Sequence, residues 1–199
     1  IAINGFGRIG RLFLRQIINE PNVEVVAIND LGDIENLRYL FKYDSVYGRF
    51  ETPITNIKFL QEKDPARLPW KDLGVDIVVE STGVFESYEK AKAHLDAGAK
   101  KVVLTAPAKD TDGDLGKTIL VGINDDELKS VQISSNASCT TNGIASVLAI
   151  LSENPGIEKA VLNTVHAMTN TQTTVDSPVK GNDFRRGRAA SQNIIPSTT

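Results

Sequence analysis

The sequence predicts an α/β fold, a doubly wound parallel sheet flanked by helices, and three observations predict it. Short apolar runs of strand length alternate with longer runs of helical period, the pattern of repeated βαβ units. A glycine triplet, Gly5, Gly7 and Gly10, falls between the first strand-like run and the first helical one. Neither an internal repeat nor a low-complexity linker interrupts the alternation.

In chain order, strands are expected over residues 1–4, 23–29, 75–80, 101–105, 118–123 and 131–134. Between the first two, Ile9, Leu12, Phe13 and Ile17 recur near helical spacing. Helical patterns also fit residues 33–43 and 87–97, and Gly98 suits the position just past the second. After Cys139, Ile144, Val147, Leu148 and Leu151 mark one face of a helix that stops at Asn154-Pro155-Gly156. A further strand is expected over 160–166. Residues 169–193 are polar, partly basic and without period, so they read as a long loop, and loops of that length are usually functional or interfacial.

With 199 residues, the chain has the size of one large domain, or of one domain and part of another. Hydrophobic residues make up 41% and charged residues 24%, as in ordinary globular proteins. The net charge of −3 gives no electrostatic reason to expect a nucleic acid or a membrane as partner. No apolar run approaches the roughly 20 residues that span a bilayer. A single cysteine cannot form an internal disulfide, which points to a reducing cytoplasm. The first residues already belong to a strand and a glycine loop, so no signal peptide is expected. The chain opens at Ile1 without an initiator methionine and stops at Ser197-Thr198-Thr199, and it reads as incomplete.

The triplet in I-N-G-F-G-R-I-G has G-x-G-x-x-G spacing. Gly5 permits the tight turn, Gly7 lets backbone approach a pyrophosphate, and Gly10 allows close helix–strand packing. A helix starting there aims free N–H groups and its positive dipole end at the phosphates. The context is that of a Rossmann-type dinucleotide site: strand, glycine turn, helix, then a second strand ending in V-A-I-N-D. Asp30 lies twenty residues past Gly10, where an acid accepts hydrogen bonds from the adenosine ribose and repels a 2′-phosphate. NAD is therefore favoured over NADP. Glu80-Ser81-Thr82-Gly83 and Thr105-Ala106-Pro107 each end an expected strand, where open parallel sheets bind ligands, although small polar residues and glycine are ordinary loop chemistry too.

S-N-A-S-C-T-T-N-G holds the only cysteine, Cys139, where a helix begins. The helix dipole favours a thiolate in the first turn, and a nearby base completes the activation. There are two histidines. His94, on the charged run K-A-H-L-D, is expected at the solvated surface, whereas His166 ends the expected strand over 160–166 and would emerge into a cleft. Taken alone, Cys139 reads as a small buried hydrophobe and His166 as a satisfied strand-end histidine. A nucleotide site beside an activated thiol favours aldehyde oxidation: the thiolate adds to an aldehyde, hydride leaves for nicotinamide, and a thioester remains. This chemistry calls for no metal.

The motifs I-N-G-F-G-R-I-G-R, V-A-I-N-D, K-Y-D-S-V-Y-G-R-F, E-S-T-G-V-F, G-A-K-K-V, S-N-A-S-C-T-T-N, T-V-H-A-M-T and Q-N-I-I-P occur in this order over essentially the whole chain. Together they resemble the phosphorylating glyceraldehyde-3-phosphate dehydrogenases, and S-x-C-T-T-N is the most specific of them. The resemblance implies NAD-dependent oxidation of glyceraldehyde 3-phosphate to 1,3-bisphosphoglycerate, with inorganic phosphate splitting the thioester. It implies a Rossmann-type domain over 1–138, then the start of an α+β catalytic domain over 139–199. Cys139 resembles the nucleophile and His166 its base. Asn4, Gly5, Phe6, Gly7, Arg8, Ile9 and Gly10 resemble the pyrophosphate loop, and Asn29-Asp30 the ribose end. Lys63 falls near the adenine, and Ser81, Thr82, Gly83, Thr105 and Asn170 match positions lining the cofactor. Ser138, Thr140, Thr169 and Thr199 resemble the hydroxyl donors for substrate and inorganic phosphate; Arg186 is a candidate cation there. Arg185, Arg186 and Arg188 fall in the loop that in the family borders a neighbouring subunit's cofactor, and by themselves they equally fit a solvated basic turn. A cytoplasmic homotetramer is implied by resemblance alone.

Many members carry a second cysteine where this chain has Gly143, a thiol the mechanism does not need. Asp176-Ser177-Pro178 also departs from the pattern, while Leu31 after Asp30 keeps NAD the expected cofactor. The C-terminal part of the catalytic domain has no counterpart here. Two other readings stand beside the first: an erythrose-4-phosphate-type dehydrogenase of the same fold, and a nucleotide-binding fragment without activity.

Overall fold

The computed structural model describes residues 1–179 and 181–196. The chain forms two compact units, Ile1–Ala149 and Ile150–Thr199. The first unit is a seven-stranded, all-parallel sheet in the order β5-β2-β1-β6-β7-β9-β8, built from β1 (Ala2–Asn4), β2 (Ala27–Asn29), β5 (Lys58–Leu60), β6 (Ile77–Glu80), β7 (Lys101–Leu104), β8 (Gly116–Thr118) and β9 (Ile133–Ser135). β3 (Tyr43–Asp44) and β4 (Gly48–Arg49) form a separate antiparallel hairpin.

Alternation along each strand divides the core into two layers. Ala2, Ala27 and Val78 are in register and pack with Trp70, Tyr88 and Ala91 on one face; Ile3 and Ile28 pack with Phe6, Leu14, Leu37 and Phe41 on the other. The first face carries α3 (Tyr88–Asp96), the second α1 (Arg8–Ile17) and α2 (Ile34–Lys42). This is a doubly wound α/β fold, with strands too short to cover both faces without their helices. Asp33 and Ser87 cap α2 and α3 through their side chains, at 2.8 Å and 3.2 Å. Gly98 follows α3 at φ 106°, as its position predicts.

Three expectations need correction. The strand expected over 118–123 is Gly116–Thr118, after which Asn124 turns the chain by accepting from Leu120 N–H and donating to the Thr118 carbonyl. No strand forms over 160–166: no described residue of the second unit supplies a neighbour to pair with, and Val161 and Val165 stay exposed. His94 is not at the surface but fully buried, because α3 presents it to the sheet beside Trp70.

α4 (Cys139–Glu153) begins in the first unit. Val147, Leu148 and Leu151, on its expected apolar face, are exposed. In the second unit the loop folds on itself: Thr173 N–H donates to the Arg186 carbonyl, Ala190 N–H to the Thr173 carbonyl and Ser177 N–H to the Gly187 carbonyl. Among the described residues no helix is long and apolar enough to cross a membrane.

Candidate functional site

Strand order reverses between β1 and β6, and at the carboxyl ends of parallel strands such a switch point opens a crevice. Here it is a cleft of about 830 Å³ lined by Asn4, Gly5, Gly7, Asn29, Asp30, Lys63, Ser81 and Thr82, all expected from the sequence. Leu31, expected after Asp30 to keep NAD favoured, lines it too, as do Glu62, Asp64, Pro65, Arg67, Val84 and Phe85, for which the sequence predicted no such place. The group from Glu62 to Arg67 follows β5, a three-residue strand too short to show a period; Val84 and Phe85 extend the E-S-T-G motif, whose position at a strand end was the available signal.

The glycine turn is built by close contact. Gly5 has φ 93°, and a Cβ there would lie 2.6 Å from the Ser81 carbonyl carbon and the Thr82 nitrogen. A Cβ on Gly10 would lie 2.1 Å from the Gly5 carbonyl oxygen. Gly7, by contrast, faces open space and caps α1 without a side-chain hydrogen bond, so the amides of the first turn stay directed outward. Asp30 holds the turn from the neighbouring strand end. Its Oδ2 accepts Phe6 N–H at 2.6 Å and its Oδ1 accepts Gly32 N–H at 2.8 Å, leaving a lone pair on each oxygen for a ribose hydroxyl. An open-faced glycine at an uncapped helix start, an acid at the second strand end and a long cleft between them fit a dinucleotide.

Other expected cofactor residues serve the scaffold. Phe6 is buried against Phe41 and Phe59. Thr105 donates through N–H and hydroxyl to the Glu80 carbonyl, at 3.0 and 3.2 Å. Gly83 turns at φ 69°, and Ile9 is half exposed. Arg8 pairs with Asp44 at 3.0 Å and lies over the Tyr47 ring. Backbone N–H groups of Tyr47 and Val46, with Arg8 adding to them, hold the Asp44 carboxyl down to about 2. Its folded value lies below the ordinary one near 4, so its contribution to stability is present above about pH 4 and lost as pH falls through 2. The stability gap between the wild type and Asp44→Asn should therefore narrow from pH 5 to pH 2 in urea titrations. A constant gap would show that the charge is not involved.

The thiol stands at another strand end of the same unit. β9 runs into Ala137, a non-glycine residue at φ 54°, a backbone state that costs about 1–3 kcal/mol and persists only where neighbours enforce it. Ser135 enforces it: its Oγ accepts Ala137 N–H at 3.1 Å and Ala108 N–H at 3.2 Å and donates to the Ala106 carbonyl at 2.8 Å. Ser138 then caps α4, accepting Thr141 N–H at 2.9 Å, and Asn142 ties back to the Asn136 carbonyl at 2.7 Å. Cys139 is thus the first residue of α4, exposed, with Thr140 next in the same turn. That is where a helix dipole stabilises a thiolate.

The remaining expected residues belong to the second unit. His166 is exposed, and its Nδ1–H donates to the Ala167 carbonyl at 2.6 Å, since a carbonyl can only accept. Thr169 N–H donates to Gln172 Oε1 at 3.0 Å, and Asn170 occupies an exposed turn. Arg185 and Arg186 pair with Asp183 at 2.7 and 3.4 Å, and Arg188 with Asp176 at 2.9 Å, so the basic cluster carries its own counter-charges. Thr199 lies outside the described residues.

Comparison with known proteins identifies the family. Residues 1–88 match the family described as "Glyceraldehyde 3-phosphate dehydrogenase, NAD binding domain", and residues 138–199 match "Glyceraldehyde 3-phosphate dehydrogenase, C-terminal domain". Curated relatives named glyceraldehyde-3-phosphate dehydrogenase include those of Thermotoga maritima, 52% identical, Clostridium acetobutylicum, 50%, and Chlamydia muridarum, 52%. Each alignment covers 100% of this chain and 62% of the relative, so the chain spans somewhat under two thirds of their length. With an NAD-binding domain at its start, this chain belongs to the glyceraldehyde-3-phosphate dehydrogenase family.

Proposed function

We propose that the protein carrying this chain is a phosphorylating glyceraldehyde-3-phosphate dehydrogenase, which converts glyceraldehyde 3-phosphate and inorganic phosphate to 1,3-bisphosphoglycerate. The observation that carries this reading is the exposed Cys139 thiol at the first residue of α4, held there by the Ser135 and Ser138 bonds around a strained Ala137. NAD, when bound, supplies the acceptor for the aldehyde hydride. The turn from Asn4 to Gly10 holds its pyrophosphate, Asn29 and Asp30 its ribose end, Lys63 its adenine side, and Ser81, Thr82, Gly83, Thr105 and Asn170 line its course.

His166 takes the thiol proton, and the Cys139 thiolate adds to the aldehyde carbon; the carbonyl electron pair moves to oxygen as the C–S bond forms. His166 returns that proton to the oxygen, then takes it back as the carbonyl re-forms; the C–H bond breaks, the carbon gives up its hydride to the bound acceptor, and a thioester remains on Cys139. A phosphate oxygen attacks the thioester carbon, the C–S bond breaks, and the thiolate leaves. Ser138, Thr140, Thr169 and Thr199 donate hydroxyls to the two phosphates, with Arg186 as a cation, because hydroxyls orient an anion while a few cations supply charge. Division into a cofactor domain over 1–138 and a catalytic domain from 139 follows the same reading, and the family resemblance supports a cytoplasmic homotetramer.

NADH formation from glyceraldehyde 3-phosphate and NAD, with phosphate present and then omitted, tests the proposal. Turnover should depend on phosphate and disappear when Cys139 is alkylated; phosphate-independent turnover would exclude acyl transfer to phosphate. Asp30→Ala should reduce the preference for NAD over NADP by about tenfold, the effect of losing about 1.4 kcal/mol of discrimination. It should also weaken NAD itself, because Phe6 N–H loses its acceptor. An unchanged ratio of dissociation constants would remove Asp30 from the ribose.

A further inference from the structure

Beneath the cleft lies a buried row of polar side chains, of which Asn4 and Asn29 have a role above while Glu80, His94 and Trp70 have none. Asn29, Asn4 and Glu80 are in register at the carboxyl ends of β2, β1 and β6, on the face that carries α3. Asn29 Nδ2 donates to Asn4 Oδ1 at 2.7 Å, and Asn4 Nδ2 donates to Glu80 Oε2 at 2.5 Å. His94 Nε2 reaches the same Oε2 at 3.0 Å, and Trp70 Nε1 reaches His94 Nδ1 at 3.0 Å. All five side chains come from buried residues.

Every proton in this row follows from its ends. An indole N–H can only donate, so His94 Nδ1 accepts and the imidazole proton sits on Nε2, directed at Glu80. A carboxylate can only accept, which fixes the Asn4 amide with its nitrogen toward Glu80 and its oxygen toward Asn29. At the other end, Asn29 Oδ1 accepts Glu62 N–H at 2.8 Å and its Nδ2 also donates to the Glu62 carbonyl at 2.9 Å. Glu80 Oε1, meanwhile, accepts Thr82 N–H at 2.8 Å and the Thr82 hydroxyl. The row thus crosses the floor of the cleft and binds both walls: the segment from Glu62 on one side, the segment from Ser81 on the other.

We propose that Glu80 and His94 are positioning residues for the dinucleotide, setting the spacing between the Glu62 and Thr82 walls of the cleft through this single-polarity row. The proposal rests on the reading of the cleft as the NAD site. Glu80→Gln, nearly isosteric, breaks the polarity: an amide NH2 must then face either Asn4 Nδ2 and His94 Nε2–H or Thr82 N–H, and no flip along the row relieves it. His94→Leu removes the donor outright. His94→Gln returns a donor toward Glu80, and Trp70→Phe leaves the His94–Glu80 bond in place while removing the bond behind it.

The test is calorimetric titration of NAD into the protein carrying this chain and its four variants, with melting temperatures measured alongside. Glu80→Gln and His94→Leu are expected to raise the NAD dissociation constant about tenfold or more, a polar group left facing a like group being worth about that factor. His94→Gln and Trp70→Phe should stay within about twofold of wild type although they too melt lower, because a network can lose stability at one bond and keep its geometry at another. Affinity that tracks melting temperature across all four, or an unchanged constant in Glu80→Gln, would reduce the row to a structural element and overturn the proposal. Should His94→Leu fail to fold, Glu80→Gln against His94→Gln decides. Failure of the wild type to bind NAD would overturn the cofactor reading instead, a separate and recognisable result.

Discussion

Replacing Cys139 by serine in the protein carrying this chain should lower NADH formation by at least about a thousand-fold, while NAD affinity stays within about twofold. The physical cause is the acidity of the proposed nucleophile. A thiol at a helix N-terminus is readily ionised, whereas a serine hydroxyl in the same place remains protonated and makes a poor attacking group. NAD affinity is spared because the cleft is walled by residues following β1, β2, β5 and β6, and Cys139 is not among them. The serine is small enough for the first turn of α4, and the Ser138 cap and the Ser135 bonds to Ala137 do not involve the residue at 139. Steady-state turnover together with an NAD titration checks both halves. Retention of more than a tenth of wild-type turnover would assign the nucleophile elsewhere.

Gly10→Ala is the second change of large expected effect, and it acts on the other half of the chemistry. The new methyl would sit 2.1 Å from the Gly5 carbonyl oxygen and 2.9 Å from Ser81 Oγ. The carbonyl belongs to backbone that cannot rotate away, since Gly5 is held by its own N–H bond to the Asn29 carbonyl at 2.8 Å and by the Ser81 hydroxyl at 2.6 Å. α1 must therefore shift off β1. Forced overpacking of this kind costs about 1–3 kcal/mol, and for a protein of this size each kcal/mol lowers the melting temperature by about 2–4 °C. NAD affinity should fall at least about tenfold, because the amides proposed to face the pyrophosphate move with the helix. A variant that melts and binds like the wild type would contradict the Gly5–Gly10 contact.

Much of the site could be read without coordinates because it is local in sequence. The turn from Asn4 to Gly10, the acid at the end of the second strand and the thiol ahead of an apolar helix each occupy a handful of consecutive residues, and local steric rules govern them. The expected helices were found within a residue or two of their bounds for the same reason, each having a cap or a glycine stop nearby. What escaped the reading was short or paired at a distance. β5 has three residues and is a strand only because β2 lies beside it. The hairpin of Tyr43–Asp44 with Gly48–Arg49 has two residues a side and is stabilised in part by Arg15, whose guanidinium donates to the carbonyls of Phe41 and Gly48.

His94 is the instructive error. Lysine, histidine and aspartate on a helix of low amphipathicity look like a solvated face, and for Lys92 and Asp96 that holds. The turn of α3 nevertheless directs His94 inward, where Glu80 and Trp70 make its burial tolerable by taking both ring nitrogens.

The sequence by itself determined the alternation of strand and helix, the nucleotide turn, the placement of the single thiol at a helix start and membership in the family. Each of these is set by near neighbours through backbone sterics, side-chain period and capping. The tertiary structure alone decided which polar side chains would be buried and joined, as in the row from Asn29 through Asn4 and Glu80 to His94 and Trp70. Those partners stand 25, 76, 14 and 24 residues apart. Their burial is favourable only when strand register and helix docking bring every donor to an acceptor at once, a condition that no local stretch of chain can express.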